Sequence, residues 1–407
     1  MTTIRTTSLL LAFAMAPFAA QAGSLNLLPA TEGDQIPTRL FASKQAAPAD
    51  LDRVPARISW ALDPNQSIEK SSPHLAESRE YWKRVKAEQL AAGVTIHTSA
   101  EGAVLRLSPL AATTKRFLDP QALEIRYAGR RLRGSAAIEQ LADAAQLKAS
   151  GLGFPEHSIA FRLKPELGAG DFELALPHAG GDVLLHVFEP RSQERLHLST
   201  ARAVVLQGEE LAVNARFDSA QGKRLGELVG TIAAPNGQLF DLRFDPQADG
   251  TWQAKARIDA AAGRGEGLWE VHATGLSRDG SVQRDIRTAF DAVTPGARLL
   301  GRTDVAFAKD GALRIALPIA VASASRYNVS ALLYGSNAQG QMRPLAIAHS
   351  AVWAEPGETS VSLAFDPDLL AQGGLGAPYE LRQLELTDFA TRSAVESRAR
   401  ALRFDPN

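Results

Sequence analysis

Histidine, carboxylate and paired aromatic side chains fall at spacings worth weighing in four parts of this chain. His178, His186, Glu189 and His197 lie close together, and neutral imidazoles with one carboxylate make a zinc donor set. Strand alternation, however, puts His186 with Leu184 and Phe188 on one face and Glu189 on the other, which favours surface or hydrogen-bonded histidines. Asp245 and Asp249, with Asp241 nearby, surround a turn before Trp252. Loop carboxylates of this kind hold calcium, although acceptors at alternate positions and a closing Glu are missing, and Asp249-Gly250 also reads as plain turn chemistry. Calcium at Asp245 and Asp249 is thus the one cofactor on offer; the sequence otherwise calls for none. Tyr81-Trp82 is an adjacent pair that could stack on a sugar ring, set against the commoner outcome of two aromatics packed on a sheet. Glu209-Glu210 opens a strand and reads as a solvated rim rather than an acid and base pair.

No catalytic residue emerges from this survey. The Gly-x-Ser-x-Gly elbow, the His-Glu-x-x-His helix, the Walker loop and the dinucleotide fingerprint are all missing from the sequence. Formal net charge is -1, with 44 basic against 45 acidic residues, so no global field favours nucleic acid or an anionic membrane as partner. The most basic run, 126–133, lacks interleaved stacking aromatics and reads as a solvated hairpin tip. There are no cysteines, which excludes disulfides, thiolate metal sites and a lipid anchor on Cys. Arg5, the apolar run 9–16 and Ala20-Gln21-Ala22 form a signal peptide over residues 1–22 with cleavage after Ala22. No later apolar run is long enough to span a bilayer, so the expected location is periplasmic or secreted.

The elements that must position these residues are mostly strands. In 267–290, Trp269, Val271 and Ala273 alternate with Glu270, His272 and Thr274, and Val282, Ile286 and Phe290 alternate with Gln283, Asp285 and Arg287. Asp279-Gly280 between them predicts a tight hairpin turn. Residues 23–55 read as a linker or strand-poor arm. Ser72-Pro73 predicts a helix start, with Leu75, Ser78, Trp82, Val85 and Gln89 along one side and Gly93 at its end. A second helix is expected between Ser135 and Ser150 on the spacing of Ile138, Leu141, Ala142 and Ala145. These helices sit among strands that make residues 56–206 an N-terminal β-sandwich with helical elements. About seven short strands make 207–293 an immunoglobulin-like sandwich, and Thr294-Pro295-Gly296 leads into another over 294–407. A parity change between Leu381 and Leu384 predicts a bulge. The expected class is mainly β, as tandem sandwich domains, the two C-terminal ones immunoglobulin-like.

Three stretches, Ser78-Arg79-Glu80-Tyr81-Trp82, Gly102-Ala103-Val104-Leu105-Arg106-Leu107-Ser108-Pro109 and Leu185-His186-Val187-Phe188-Glu189-Pro190, resemble an exported proteobacterial family catalogued as domain of unknown function 4785. The resemblance implies a secreted or periplasmic multi-domain β protein with tandem immunoglobulin-like modules, and it carries over no catalytic residue. The expected function is that of an exported non-enzymatic binding or scaffolding protein, its partner an exported or surface protein, or a glycan. The rival expectation is a polymer-acting hydrolase or its accessory subunit, with a site near Tyr81, Trp82, His97 and Glu101.

Overall fold

The hairpin of residues 267–290 forms with the register its pattern requires. Strands Trp269–Ser277 and Gln283–Val293 pair Trp269 with Phe290 and Ala273 with Ile286, and Trp269, Val271, Val282, Ile286 and Phe290 are buried. Gly280 supplies φ +70° at the turn, and the Asp279 carboxylate accepts from the hydroxyls of Ser277 at 2.6 Å and Ser281 at 2.8 Å. The computed structural model describes residues 22–43, 47–68, 74–110, 118–177, 179–260, 262–263 and 267–405. The signal-peptide reading of residues 1–22, the Ser72-Pro73 helix start and His178 therefore lie outside or at the margin of the described residues. The chain divides into two compact units, 71–292, and 1–70 together with 293–407. Strand is the dominant structure in both.

Unit 71–292 holds two sandwiches. In the first, one sheet runs in the order Glu80–Val85, Val183–Phe188, Val104–Pro109, Ile159–Leu163, Ile138–Ala142, and the other in the order Val94–Thr98, Gly170–Ala175, Glu124–Tyr127, Arg130–Arg133. Leu105, Leu107, Phe161, Leu185 and Val187 from one sheet meet Ile96, Ile125, Phe172 and Leu174 from the other in a common core. Each such side chain contributes about 1.5–3 kcal/mol when fully buried, which lets a core of this size dispense with disulfides.

The helix expected from Ser72 to Gly93 is instead strands Ala76–Ser78 and Glu80–Val85 followed by a short helix, Ala87–Ala92. Tyr81 and Val85 are both buried, and a separation of four fits a strand face as well as a helix face. Pairing with Val183–Phe188, far away in sequence, decides for the strand. The helix expected between Ser135 and Ser150 is likewise a strand, Ile138–Ala142, and then a helix confined to Ala144–Ala149. Asp143 stops one and caps the other: its carboxylate accepts from the Gln146 amide at 2.9 Å while the Gln146 side chain accepts from the Asp143 amide at 3.0 Å.

The second sandwich of this unit is a ladder of nine strands around one core that includes Leu211, Val213, Leu228, Phe244, Trp269, Val271 and Phe290. Two of its strands come from residues read above as part of the first sandwich. Arg195–Thr200 pairs with Glu210–Asp218, and Ala76–Ser78 pairs with Arg195–Thr200 in turn. Leu196 and Leu198 are fully buried in the second core, which is where their apolar faces find cover.

The other unit is a sandwich whose strands come from both ends of the chain. One sheet contains Arg302–Phe307, Leu313–Val321, Ala297–Leu299 and Gly357–Phe365, with Ala22–Asn26 paired to Arg302–Phe307. The other runs Ala56–Ala61, Met342–Ala354, Ser325–Ser336, Gly376–Asp388, Ser393–Phe404. The segment read as a linker or arm is thus laced onto this sandwich: the Leu28 amide donates to Ala401 O at 2.8 Å, Gln35 to Ser397 O at 2.8 Å and Phe41 to Pro295 O at 3.0 Å. Ala56–Ala61 lies at the sheet edge here, with Trp60 stacked on His349 at 5.2 Å, and so joins this sandwich although the pattern placed it in the N-terminal one. The parity change between Leu381 and Leu384 is a bulge, with Gln383 at φ +47° and shifted register on both flanking strands.

Candidate functional site

Because residues 80–85 form a strand, Tyr81 and Trp82 point to opposite sides of it. Tyr81 is buried in the first core, its hydroxyl donating to His97 O at 3.1 Å, and burial pushes its pKa well above the usual phenol range. Trp82 is half-buried on the outer face and stacks on His186, ring centres 4.9 Å apart and nearly coplanar at 11°. His186 Nε2 and Glu80 Oε2 are hydrogen-bonded at 2.7 Å, and in the strand register His186 lies opposite Arg106. The Arg106 guanidinium sits over the Phe154 ring at 5.0 Å, and its buried Nε has no hydrogen-bond partner. Burial pulls the Arg106 pKa down, and Glu80 opposes that shift. The result is a row across the outer sheet face, indole, imidazole, guanidinium and phenyl, of the kind that stacks on flat or apolar ligand surfaces.

Behind this row the first two sandwiches are joined by buried charge. Arg284 and Glu189, at 1% and 0% exposure, form an ion pair. Arg284 also donates to Glu194 O at 2.8 Å, Gln283 O at 2.7 Å, Ser99 Oγ at 2.8 Å and Ser192 Oγ at 2.9 Å, while Glu189 accepts from the Ser99 amide at 2.5 Å and the Ser99 hydroxyl at 3.0 Å. Beside it, the Trp82 amide donates to Asp285 Oδ2 at 2.6 Å, and burial raises the Asp285 pKa despite hydrogen bonds from Thr274, Trp82 and Gln283. A group enclosed this fully cannot touch a ligand. The clamp fixes the sheet that carries Trp82 against the next sandwich.

The remaining residues singled out in the sequence are dispersed. His197 is buried and pairs with Asp218 at 2.9 Å, in a different sandwich from the His186 and Glu80 pair, and Glu189 is taken up by Arg284. His97 pairs with Asp171 at 2.5 Å, and Glu101 with Arg191 at 2.6 Å, all four side chains well exposed. Among the described residues no group of three or more His, Asp or Glu side chains converges as a metal ion would need. Asp249 Oδ1 accepts from the Thr251 amide at 3.0 Å and hydroxyl at 2.6 Å, and these bonds hold its pKa below the usual range, while Asp245 lies 3.7 Å from Arg243. Asp249 also lines a cavity of about 520 Å³ whose wall carries Arg216, Lys223, Arg224 and Arg278, a cationic setting that works against calcium there. Arg284 was detectable from sequence parity, since it shares the even-numbered inward positions of Val282, Ile286 and Phe290.

Sheets packed into sandwiches in both units define a mainly β, multi-domain protein. Family models agree with the architecture: the N-terminal domain of DUF4785, a domain of unknown function, matches residues 47–189, and the DUF4785 C-terminal domain matches residues 297–405. The chain belongs to the DUF4785 family. A crystal structure of a DUF4785 family protein from Legionella pneumophila is similar over 93% of this chain and 99% of that one, with a TM-score of 0.71 and 23% sequence identity, a likeness of fold. No curated protein matches the chain. Among the described residues no helix is long and apolar enough to cross a membrane.

Proposed function

We propose that this protein is an exported, non-enzymatic binding or scaffolding protein, periplasmic or secreted, that presents its sandwiches to an envelope or extracellular protein or to a glycan. The observation that carries the reading is the row of Trp82, His186, Arg106 and Phe154 on the outer face of the first sandwich. Stacked rings with a cation beside them bind by area and polarity and need no reacting group. The pairs nearest to a hydrolytic constellation are exposed: His97 hydrogen-bonds Asp171, and Glu101 forms an ion pair with Arg191. The signal-peptide pattern of residues 1–22 supports export.

The test uses the protein beginning at Gly23 as bait against envelope and culture-medium extracts, with a glycan array in parallel. A saturable partner is expected, and Trp82→Ala should lose it while circular dichroism shows the fold intact. Capture unchanged in Trp82→Ala and His186→Ala, or turnover of an envelope polymer by the purified protein, would reject the reading.

A further inference from the structure

The cavity at one end of the second sandwich holds two arginines that, among the described residues, form no ion pair. The Arg278 amide donates to Arg224 O at 3.0 Å, which continues by one step the register that pairs Leu225 with Ser277. Arg224 and Arg278 are therefore cross-strand neighbours whose side chains leave the same face of the sheet. Gly226 permits this approach, since a Cβ there would come within 3.0 Å of Arg278 Cα.

Of the other charged side chains of the cavity, Lys223, Arg216 and Asp218 are paired, and Asp249 keeps its charge. Lys223 pairs with Asp279 at 3.0 Å and bonds to the Ser281 hydroxyl. Arg216 pairs with Asp218 at 3.2 Å, which also receives His197 at 2.9 Å, and Asp249 is engaged by Thr251. Among the described residues no carboxylate pairs with Arg224 or Arg278. Like charges opposite one another on adjacent strands are unfavourable, and an anion between them removes the repulsion.

We propose that this cavity binds a carboxylated saccharide, a glycan containing uronic acid. Two guanidinium forks match a carboxylate in shape as well as charge. A volume of about 520 Å³ exceeds what a bare anion fills and lies in the range of small-molecule sites. Trp252 lines the cavity and offers an aromatic surface to the apolar side of a ring, while Gln247, Asp249 and Thr251 offer polar partners to hydroxyls. The assignment rests on the binding reading above and deepens it by naming a ligand class, but its residues are separate from the Trp82 row.

Isothermal titration of the full chain from Gly23 with trigalacturonate, maltotriose and inorganic phosphate tests it. Trigalacturonate should bind, maltotriose should not, and phosphate should bind far more weakly. The double variant Arg224→Gln/Arg278→Gln should weaken trigalacturonate by about tenfold or more, the loss expected for charge-assisted hydrogen bonds, with its melting temperature unchanged or higher. Both side chains are exposed, so folding is not at stake. No binding of trigalacturonate, binding indifferent to the double variant, or phosphate binding as tightly as the saccharide overturns the proposal. If trigalacturonate fails while Trp82→Ala still abolishes capture of an envelope partner, the cavity assignment falls and the binding reading stands. If trigalacturonate binds while the Trp82 row captures nothing, the reverse holds.

Discussion

Arg284 and Arg224 belong to the same sandwich, and their surroundings give them opposite tasks. Arg284 has all three of its guanidinium nitrogens bonded inside the protein, so its charge holds two sandwiches together and is closed to solvent. Breaking such a pair from one side leaves the other charge stranded: Arg284→Met should cost about 3–5 kcal/mol in urea unfolding, and Glu189→Leu added to it should recover much of that loss. A single-variant loss below about 1 kcal/mol would show that the carboxylate is solvated in the folded protein. The basic run 126–133 follows a third pattern. Arg126, Arg131 and Arg133 converge on the Glu124 carboxylate at 2.8–2.9 Å, and Arg126 also reaches Glu173 at 2.5 Å, so three arginines of the most basic segment are held in place by ion pairs, most of them within its own hairpin.

At the scale of elements, the same close packing that buries Trp269 makes Gly263 irreplaceable. A Cβ at Gly263 would fall 2.1 Å from the Trp269 ring and 2.8 Å from the Ala234 methyl, so Gly263→Ala must push the indole out of the second core. Overpacking of this kind costs about 1–3 kcal/mol, expected as a lowered melting temperature with altered Trp fluorescence; an unchanged spectrum and midpoint would refute the contact. Strands were legible in the sequence wherever period two was unbroken, as in 269–277, and even the bulge at Gln383 left its mark as a parity change. Helices were misread where the pattern served both periods. Tyr81 and Val85 are four apart, and only the distant Val183–Phe188 strand, which no local window contains, makes them a strand face. The Trp82 row was half visible for the same reason: the indole was noticed, but His186 and Arg106 reach it only through sheet register. The arginine pair of the cavity was hidden because Arg224 and Arg278 meet across two strands, and the visible cue in that region was the aspartates of the Asp249 turn.

At the scale of the whole molecule, the unit of residues 1–70 and 293–407 is discontinuous in sequence and continuous in hydrogen bonding. A fragment of residues 293–407 lacks both N-terminal strands and exposes the edges at Arg302–Phe307 and Met342–Ala354. It should aggregate or melt without cooperativity, whereas residues 22–68 fused to it by a flexible linker should give a monomer with a sharp transition, as gel filtration and calorimetry would show. Equal behaviour of the two would mean that the lacing contributes nothing. The lacing also sets a timetable. Ser24 and Arg302 form a side-chain hydrogen bond of 2.7 Å across 278 positions, so the Ala22–Asn26 strand waits during synthesis for a partner made much later. Entropy is a minor obstacle, since each doubling of a closed loop adds only about 0.6 kcal/mol. Time is the greater one: sandwiches in the middle of the chain can finish while the early strand is still single, and whatever shields that strand in the interval becomes a partner in the protein's biogenesis.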